Sequence, residues 1–375
     1  MRTILIDDEH LALEFLAHQL KKFDTITIVG SFTDFNISQS HNLIEETDIV
    51  FLDIHMPGVD GLELADKILS INPSISIVFV TAYDTFAVQA FEINALDYIL
   101  KPVKVERLQK TLDRIIEKKL PKKINQPISS ELIIHVSHEL TFELKEQTVS
   151  LDWRTKKARE LFLYLLHHQD HSIHKAELVE RFWPTNKTAF SQLYTTVYHI
   201  RKCLADYSDY IQIENKDDYY KLLLHNTKVD LLAWEEKMAR LLPLNNINYE
   251  AVEETMRIYK HGYLQAYNYA WAEAERFRLE QLWLDYALAI ANWYKDNDGL
   301  QNAVSWFHRI VNIRSDHEIA HFSLLKLYSQ LNESNLVEKQ YAMLSAICID
   351  MEISINDDIR KWYERWQKSN TAPSS

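Results

Sequence analysis

Four short apolar runs in this chain end on residues able to handle a charged, transferable group. "TILI" leads to Asp7 and Asp8, "IVFL" to Asp53, "SIVFV" to Thr81 and "DYIL" to Lys101. Three carboxylates brought into one pocket repel one another and need a divalent cation to hold them together. Hard oxygen donors favour Mg2+, which keeps several of its waters. A carboxylate is ionised at neutral pH, so Asp53 can attack phosphorus without a separate base. The cation and the Lys101 ammonium would then neutralise the equatorial oxygens of the moving group. An acid at a strand end can also cap the next helix, but capping does not account for five polar residues at the same ends.

The elements that must position these residues are legible as alternation. The runs above, with "TITIV", have the composition of strands, and helical patterns fall between them over 9–23, 61–71, 84–94 and 104–118. Leu13, Leu16, Leu20 and Phe23 recur at helical spacing, which gives the first helix one apolar stripe. Strands alternating with helices predict a parallel sheet covered on both faces, with its ligand site beyond the carboxyl ends of the strands. All of the polar residues named above fall on that rim.

"LIDDEH", "FLDIHMPGVDG", "VTA" and "ALDYILKP", in this order and spacing, resemble the receiver domain of two-component response regulators. The resemblance covers residues 1–118 and implies a flavodoxin-like α/β fold. By position it makes Asp53 the phosphoacceptor, and Asp7, Asp8, Asp53 and the backbone carbonyl of His55 the Mg2+ ligands. Thr81 becomes the switch hydroxyl, Tyr98 the switch aromatic and Lys101 the lysine that contacts the phosphoryl group. Lys101-Pro102 matches the cis peptide of the family. The implied phosphoryl donor is a histidine kinase.

Residues 119–130, "KLPKKINQPISS", carry two prolines and no periodicity and read as a linker. Beyond it, "LIIHV", "LTFEL" and "TVSL" predict a small antiparallel sheet. Helical patterns at 155–168, 175–183 and 188–205 follow, and then a hairpin, "IQIENKDDYYKLLL". Three helices and a hairpin give a winged helix-turn-helix over 131–225. In the third helix Leu193, Val197, Ile200 and Leu204 share one face. The opposite face holds Ser191, Thr195, Tyr198, His199 and Lys202, with Arg201 at the flank, and is read either as a solvated face or as one that meets DNA. "KARELFLYLLHH", "SIHKAELVERFWP" and "FSQLYTTVYHIRKCL" resemble the DNA-binding domains of the OmpR-like and antibiotic-regulatory-protein families. That resemblance makes Lys187, Lys216, Lys221, Arg154, Lys156, Lys157 and Arg159 phosphate contacts, along with Arg201 and Lys202. The hairpin departs from the family in lacking glycine. Asn215 is the residue suited to a left-handed turn there, and Asp217 and Asp218 at the tip would repel phosphate.

From 226 onward the pattern is helical and rich in Trp, Tyr and Leu. Tyr294 and Tyr328, Trp293 and Leu327, and Trp306 and Tyr341 recur at the period of stacked helix pairs of tetratricopeptide type. "GYLQAYNYAWAEAERFRLEQLWLDYALAIANWY" resembles the bacterial transcriptional activator domain, over 226–366. Its aromatics are read as packing between repeats. The tail 367–375, "WQKSNTAPSS" without its first residue, is expected to be disordered.

The net charge of −13 argues against indiscriminate nucleic-acid binding, yet the acids concentrate toward the two ends and leave the middle neutral. Two distant cysteines, Cys203 and Cys348, fit reduced core residues. "HHQDHSIH" (167–174) lies at a helix turn, where solvated or capping histidines are expected rather than a metal site. No apolar stretch spans a bilayer, "MRTILIDDEH" lacks a leader's apolar core, and the expected location is the cytoplasm. No glycine-rich phosphate loop or Ser-His-Asp arrangement is recognisable, so the chain is not read as an enzyme with a separate substrate.

Together these readings describe a transcription regulator that accepts phosphate on Asp53 and binds promoter DNA as a homodimer. The helical repeats would be available to RNA polymerase or another protein, and no membrane is involved. The alternative is a response regulator that signals through protein contacts, or drains phosphate, without specific DNA binding.

Overall fold

The computed structural model describes residues 1–82, 97–119, 130–186, 188–216, 218–241, 249–259 and 262–371. The helix expected over 84–94, most of the linker, Lys187 and Asp217 lie outside them. The chain forms two compact units, Met1–Ile133 with Phe142–Lys228, and Ile134–Thr141 with Val229–Ser375. Among the described residues no helix is long and apolar enough to cross a membrane.

The first unit begins with β1 (Arg2–Ile6), α1 (His10–Leu20), β2 (Thr27–Phe32), α2 (His41–Glu45), β3 (Ile49–Leu52) and a short hairpin, β4 (His55–Met56) with β5 (Val59–Asp60). Then come α3 (Gly61–Ile71), β6 (Ser76–Thr81), β7 (Asp97–Leu100) and α4 (Val105–Lys119). The sheet order is β2-β1-β3-β6-β7 and every pairing is parallel. The chain leaves β1 in one direction and returns to its other side, which places the switch point between β1 and β3. Leu13, Leu16 and Leu20 of α1 and Leu108, Leu112 and Ile115 of α4 pack with Leu5, Phe51, Val78, Val80 and Ile99 of the sheet. The stripe read from the spacing of α1 is thus buried. Five residues of α2 are too few to show a period, and the sequence pattern does not predict that helix.

The chain continues with β8 (Leu132–His135), β9 (Thr141–Leu144), β10 (Gln147–Val149), α5 (Lys156–His167), β11 (Ile173–His174), α6 (Lys175–Phe182), α7 (Ala189–Cys203), β12 (Ile211–Lys216), β13 (Tyr219–Leu224) and β14 (Thr227–Val229). Strands β8–β10 and β14 form one sheet, in the order β10-β9-β8-β14, and β11, β13 and β12 another. The Thr155 hydroxyl accepts from Ala158 N at 3.0 Å and starts α5. His174 Nδ1 accepts from Ala176 N at 3.1 Å and starts α6, so one of the clustered histidines is a cap. In the hairpin, Asn215 pairs with Tyr220 and Lys216 with Tyr219. Asn215 is therefore a strand residue, not the left-handed turn residue expected from its type.

The second unit is largely helical: α8 (Asp230–Leu241), α9 (Tyr249–Met256), α10 (Glu273–Asp296), α11 (Leu300–Ile313), α12 (Glu318–Gln330), α13 (Ser334–Asp350) and α14 (Asp357–Thr371). Residues 134–141 join it through backbone. Val136 N donates to Asp230 Oδ1 at 2.9 Å, and Ser137 bridges Tyr263. Trp306 is buried, donates from Nε1 to Glu253 Oε1 at 2.8 Å, and lies beside Trp283 with ring centroids 6.4 Å apart. The helix α14 runs through Thr371, where the composition of 367–375 predicts disorder. Stacking of Tyr363 on Tyr341, centroids 3.7 Å apart, and on Trp366 anchors that helix.

Candidate functional site

Parallel register brings the strand ends to one edge. Ile6 of β1 lies opposite Leu52 of β3, and Asp53 N donates to Ile6 O at 2.9 Å, so Asp7 and Asp53 emerge side by side. Thr81 pairs with Leu100, and Lys101 N donates to Thr81 O at 2.9 Å, which sets Lys101 at the same edge. Asp7, Asp8 and Asp53 offer ligand atoms all within 4.8 Å of one another, the one such group among the described residues. Asp7 and Asp53 are buried and Asp8 is the most accessible of the three. Lys101 Nζ reaches Asp7 Oδ2 at 2.8 Å, Asp53 Oδ2 at 2.9 Å and the exposed Glu9 Oε2 at 3.5 Å.

The charges do not balance: three carboxylates face one ammonium. Burial pushes the Asp7 carboxyl above its ordinary value, against the hydrogen bond from Lys101. Burial also works against the Lys101 ammonium, but its bonds to Asp7 and Asp53 outweigh this and raise its pKa. A site of hard oxygen donors with excess negative charge fits a small divalent cation.

The turn after Asp53 supports the acceptor. His55 N lies 3.4 Å from Asp53 Oδ1, and the His55 side chain is exposed. Gly58, at φ +79°, makes the hairpin turn possible. Asp60 Oδ1 accepts from Leu62 N at 2.8 Å and starts α3. At Gly61 a Cβ would run into the Asp53 carbonyl oxygen and come within 2.7 Å of Ile54 Cα, so only glycine fits behind the acceptor. Thr81 is buried, Tyr98 is half-buried with its carbonyl accepting from Arg107 Nη2 at 2.9 Å, and Lys101-Pro102 is cis.

The residues singled out on α7 are placed differently from expectation. Ser191, Thr195 and Lys202 are partly exposed, and Lys216 is exposed at the hairpin end. Tyr198, His199 and Arg201 are buried, at 8%, 7% and 7% exposure, instead of lying on a solvated face. For Arg201 the reason is a residue that motif reading missed. Asp66 of α3 accepts from the Arg201 guanidinium and the Tyr220 hydroxyl, and from Asn215 Nδ2 at 2.7 Å. A signal for Asp66 existed: it interrupts the apolar stripe Leu62, Leu69 at helical spacing. Of the other basic candidates, Arg154 and Lys156 are exposed, while Lys157, Arg159 and Lys221 are partly covered.

Residues 3–113 match the family model described as "Response regulator receiver domain". The sensory transduction protein LytT of Oceanobacillus iheyensis is 38% identical over 144 residues, 37% of this chain and 58% of that protein. LytR of Staphylococcus haemolyticus is 37% identical over 115 residues, 31% of this chain and 45% of that one. The chain thus spans about half the length of these curated relatives. Among solved structures, Mycobacterium tuberculosis EmbR in complex with a low affinity phosphopeptide aligns with TM-score 0.50 over 64% of this chain and 66% of that chain. At 15% identity this is a likeness of fold alone. The acid cluster and its bridging lysine thus fall within the segment that matches the response regulator receiver family.

Proposed function

We propose that this protein is a phosphorylation-dependent, DNA-binding transcription regulator of a two-component system. The observation that carries the proposal is the convergence of Asp7, Asp8 and Asp53 with Lys101 bridging Asp7 and Asp53 on one sheet edge. A histidine kinase is the donor. Its phosphorus–nitrogen bond breaks as a bond forms from an Asp53 carboxylate oxygen to phosphorus, and Lys101 neutralises an oxygen of the moving group. Asp7, Asp8 and Asp53, with the His55 carbonyl, would hold Mg2+, whose contribution when bound is to offset the charge that three carboxylates and a phosphoryl group accumulate. Thr81 and Tyr98 are then drawn toward the new charge and shift an existing equilibrium of the receiver surface.

The winged-helix reading of 131–225 and the tetratricopeptide-like reading of 226–366 are supported by the element order and by the helix pairs. On this reading α7 and the hairpin meet promoter DNA, two protomers occupy paired half-sites, and the helical unit meets RNA polymerase or another protein. A second reading, signalling through protein contacts or draining of phosphate without DNA, draws support from the burial of Tyr198, His199 and Arg201.

Treatment with acetyl phosphate and Mg2+ tests the first reading. Intact mass should show one phosphoryl adduct, absent in Asp53→Asn, and binding to duplex DNA should strengthen and weaken steeply with added salt. No adduct in a folded protein overturns the receiver chemistry. An adduct with no salt-dependent DNA binding moves the function to the second reading.

A further inference from the structure

In the helical unit, one stripe of α14 does not finish as a packing face. Trp362, Arg365, Trp366, Ser369 and Asn370 fall at i, i+3, i+4, i+7 and i+8, the spacing of a single helix face, and all five line a cleft of about 480 Å³. A stripe that only packed would stay apolar, whereas this one is aromatic at first and polar at its end. The facing wall is polar as well. It consists of Ser329 near the end of α12, Asn332 in the turn that follows, and Ser334 at the start of α13. Asn370 Nδ2 donates to Ser334 Oγ at 3.2 Å and joins the two walls.

The indoles are held by other rings. Trp362 meets Phe322 near a right angle with centroids 5.9 Å apart, and Trp366 stacks on Tyr363, which stacks on Tyr341. Both indoles are still partly exposed, which leaves ring surface for a ligand. Arg365 is the one ionised side chain in the lining, and no acid lines this cleft in a chain of net charge −13. Its Nε donates to the Lys361 carbonyl at 3.2 Å, while Nη1 and Nη2 have no bond among the described residues. The volume falls in the range of roughly 300–1,000 Å³ common to small-molecule sites. An indole takes the flat face of a ring, and a guanidinium takes a carboxylate through parallel N–H bonds. One guanidinium suits one carboxylate; a polyphosphate would ask for several cations and a neutral sugar for none.

We propose that this cleft binds a small organic anion, a carboxylate carried on a flat ring, with the ring against Trp362 and Trp366 and the carboxylate on Arg365, Ser329 and Asn332. Such a ligand gives the helical unit a chemical input separate from the phosphoryl group at Asp53. Neither DNA binding by α7 nor a protein partner is needed for it.

The indole N–H signals of the full-length protein in nitrogen-edited NMR test it, assigned through Trp362→Phe and Trp366→Phe, with 2-naphthoate as the probe. Titration should move both signals to a plateau, with a dissociation constant on the order of 1 mM or tighter. Two control probes divide the site. 2-Naphthamide has the ring without the charge and acetate the charge without the ring, and each should bind about tenfold more weakly. Arg365→Gln should weaken 2-naphthoate by about tenfold and leave 2-naphthamide as in the wild type. The Arg365 side chain is exposed, so this variant should fold, and an unchanged thermal melt checks that it does. No saturable movement of the Trp362 and Trp366 signals overturns the site, including the case in which other indole signals move instead. Wild-type affinity of Arg365→Gln for 2-naphthoate overturns the anion, and acetate binding as tightly as 2-naphthoate overturns the ring.

Discussion

Lys101 donates from Nζ to Asp53 Oδ2 at 2.9 Å while holding Asp7 Oδ2 at 2.8 Å, so one ammonium bridges the two buried carboxylates. That ammonium competes with a divalent cation for the carboxylates and yet would assist phosphoryl transfer. Lys101→Met should separate the two effects. Mg2+ measured by calorimetry should bind about tenfold tighter, since a positive charge at this range in a partly buried site is worth a little over 1 kcal/mol. Labelling by acetyl phosphate should slow by about tenfold or more. A parallel fall in both would show that Lys101 organises the pocket instead of competing for it.

Gly61 and Gly58 make a matched pair on the turn after the acceptor. A Cβ at Gly61 meets backbone, whereas at Gly58 it meets open space and only the φ of +79° resists. Gly61→Ala should cost about 1–3 kcal/mol of stability through overpacking and should slow labelling of Asp53, because the carbonyl it displaces belongs to that residue. Gly58→Ala should cost about 1–2 kcal/mol from its backbone conformation. It should leave labelling nearer to the wild-type rate. Thermal melts with intact-mass time courses compare them; equal labelling in both variants would show that packing behind Asp53 does not set its reactivity.

How much of this was legible in the sequence follows from the physics of each signal. The rim residues could be read because parallel strands put every carboxyl end on one edge, so a polar residue after each apolar run is already placed in three dimensions. The burial of α1 could be read from its spacing for the same reason. The fate of α7 could not. Its polar face looks solvated when the helix is taken alone, and what covers Tyr198, His199 and Arg201 depends on tertiary contact; the Asp66–Arg201 pair spans 135 positions. Local pattern carries no information about such a pairing beyond the oddity of an acid in the stripe of α3. The extension of the last helix to Thr371 was hidden similarly, since Tyr363 finds Tyr341 in another helix.

In the helical unit, His321 is fully buried; its Nε2 lies 2.8 Å from Ser315 O and its Nδ1 2.6 Å from Gln340 Nε2. One ring nitrogen must donate to the carbonyl and the other must accept from the amide, so the ring is neutral. Burial holds His321 below the ordinary 6.5, opposed by the Ser315 carbonyl and by Asp316, and burial does the same for His308 and His317. A lowered folded pKa means that the unfolded chain binds more protons, so the contribution to stability is complete above 6.5 and is lost as pH falls. Urea midpoints of this unit should decline on acidification from neutrality, and NMR of the three histidines should show them titrating below 6.5. Titration of His321 at or above that value would mean that its hydrogen bonds are not kept in solution.

Asp66 has the opposite sign. Its burial beneath α7 raises the carboxyl above the ordinary 3.8, with Arg201, Tyr220 and Lys175 opposing from three separate elements. A raised folded pKa means that the native state binds more protons over the interval between the two values. Stability from this group is therefore fully present below 3.8 and is lost as pH rises through the folded value. An asparagine has the shape without the titration. Urea melts of wild type and Asp66→Asn at a series of pH values isolate the effect, because all other carboxylates titrate in both proteins and cancel in the difference. The wild type should lose stability relative to the variant as pH is raised from 3.8, and the difference should level off once Asp66 is ionised in the native state. It is the slope of that difference that tests the burial, since its absolute level also contains the loss of a partner for Arg201. A slope of the reverse sign would mean that Arg201, Tyr220 and Asn215 stabilise the carboxylate by more than its burial costs.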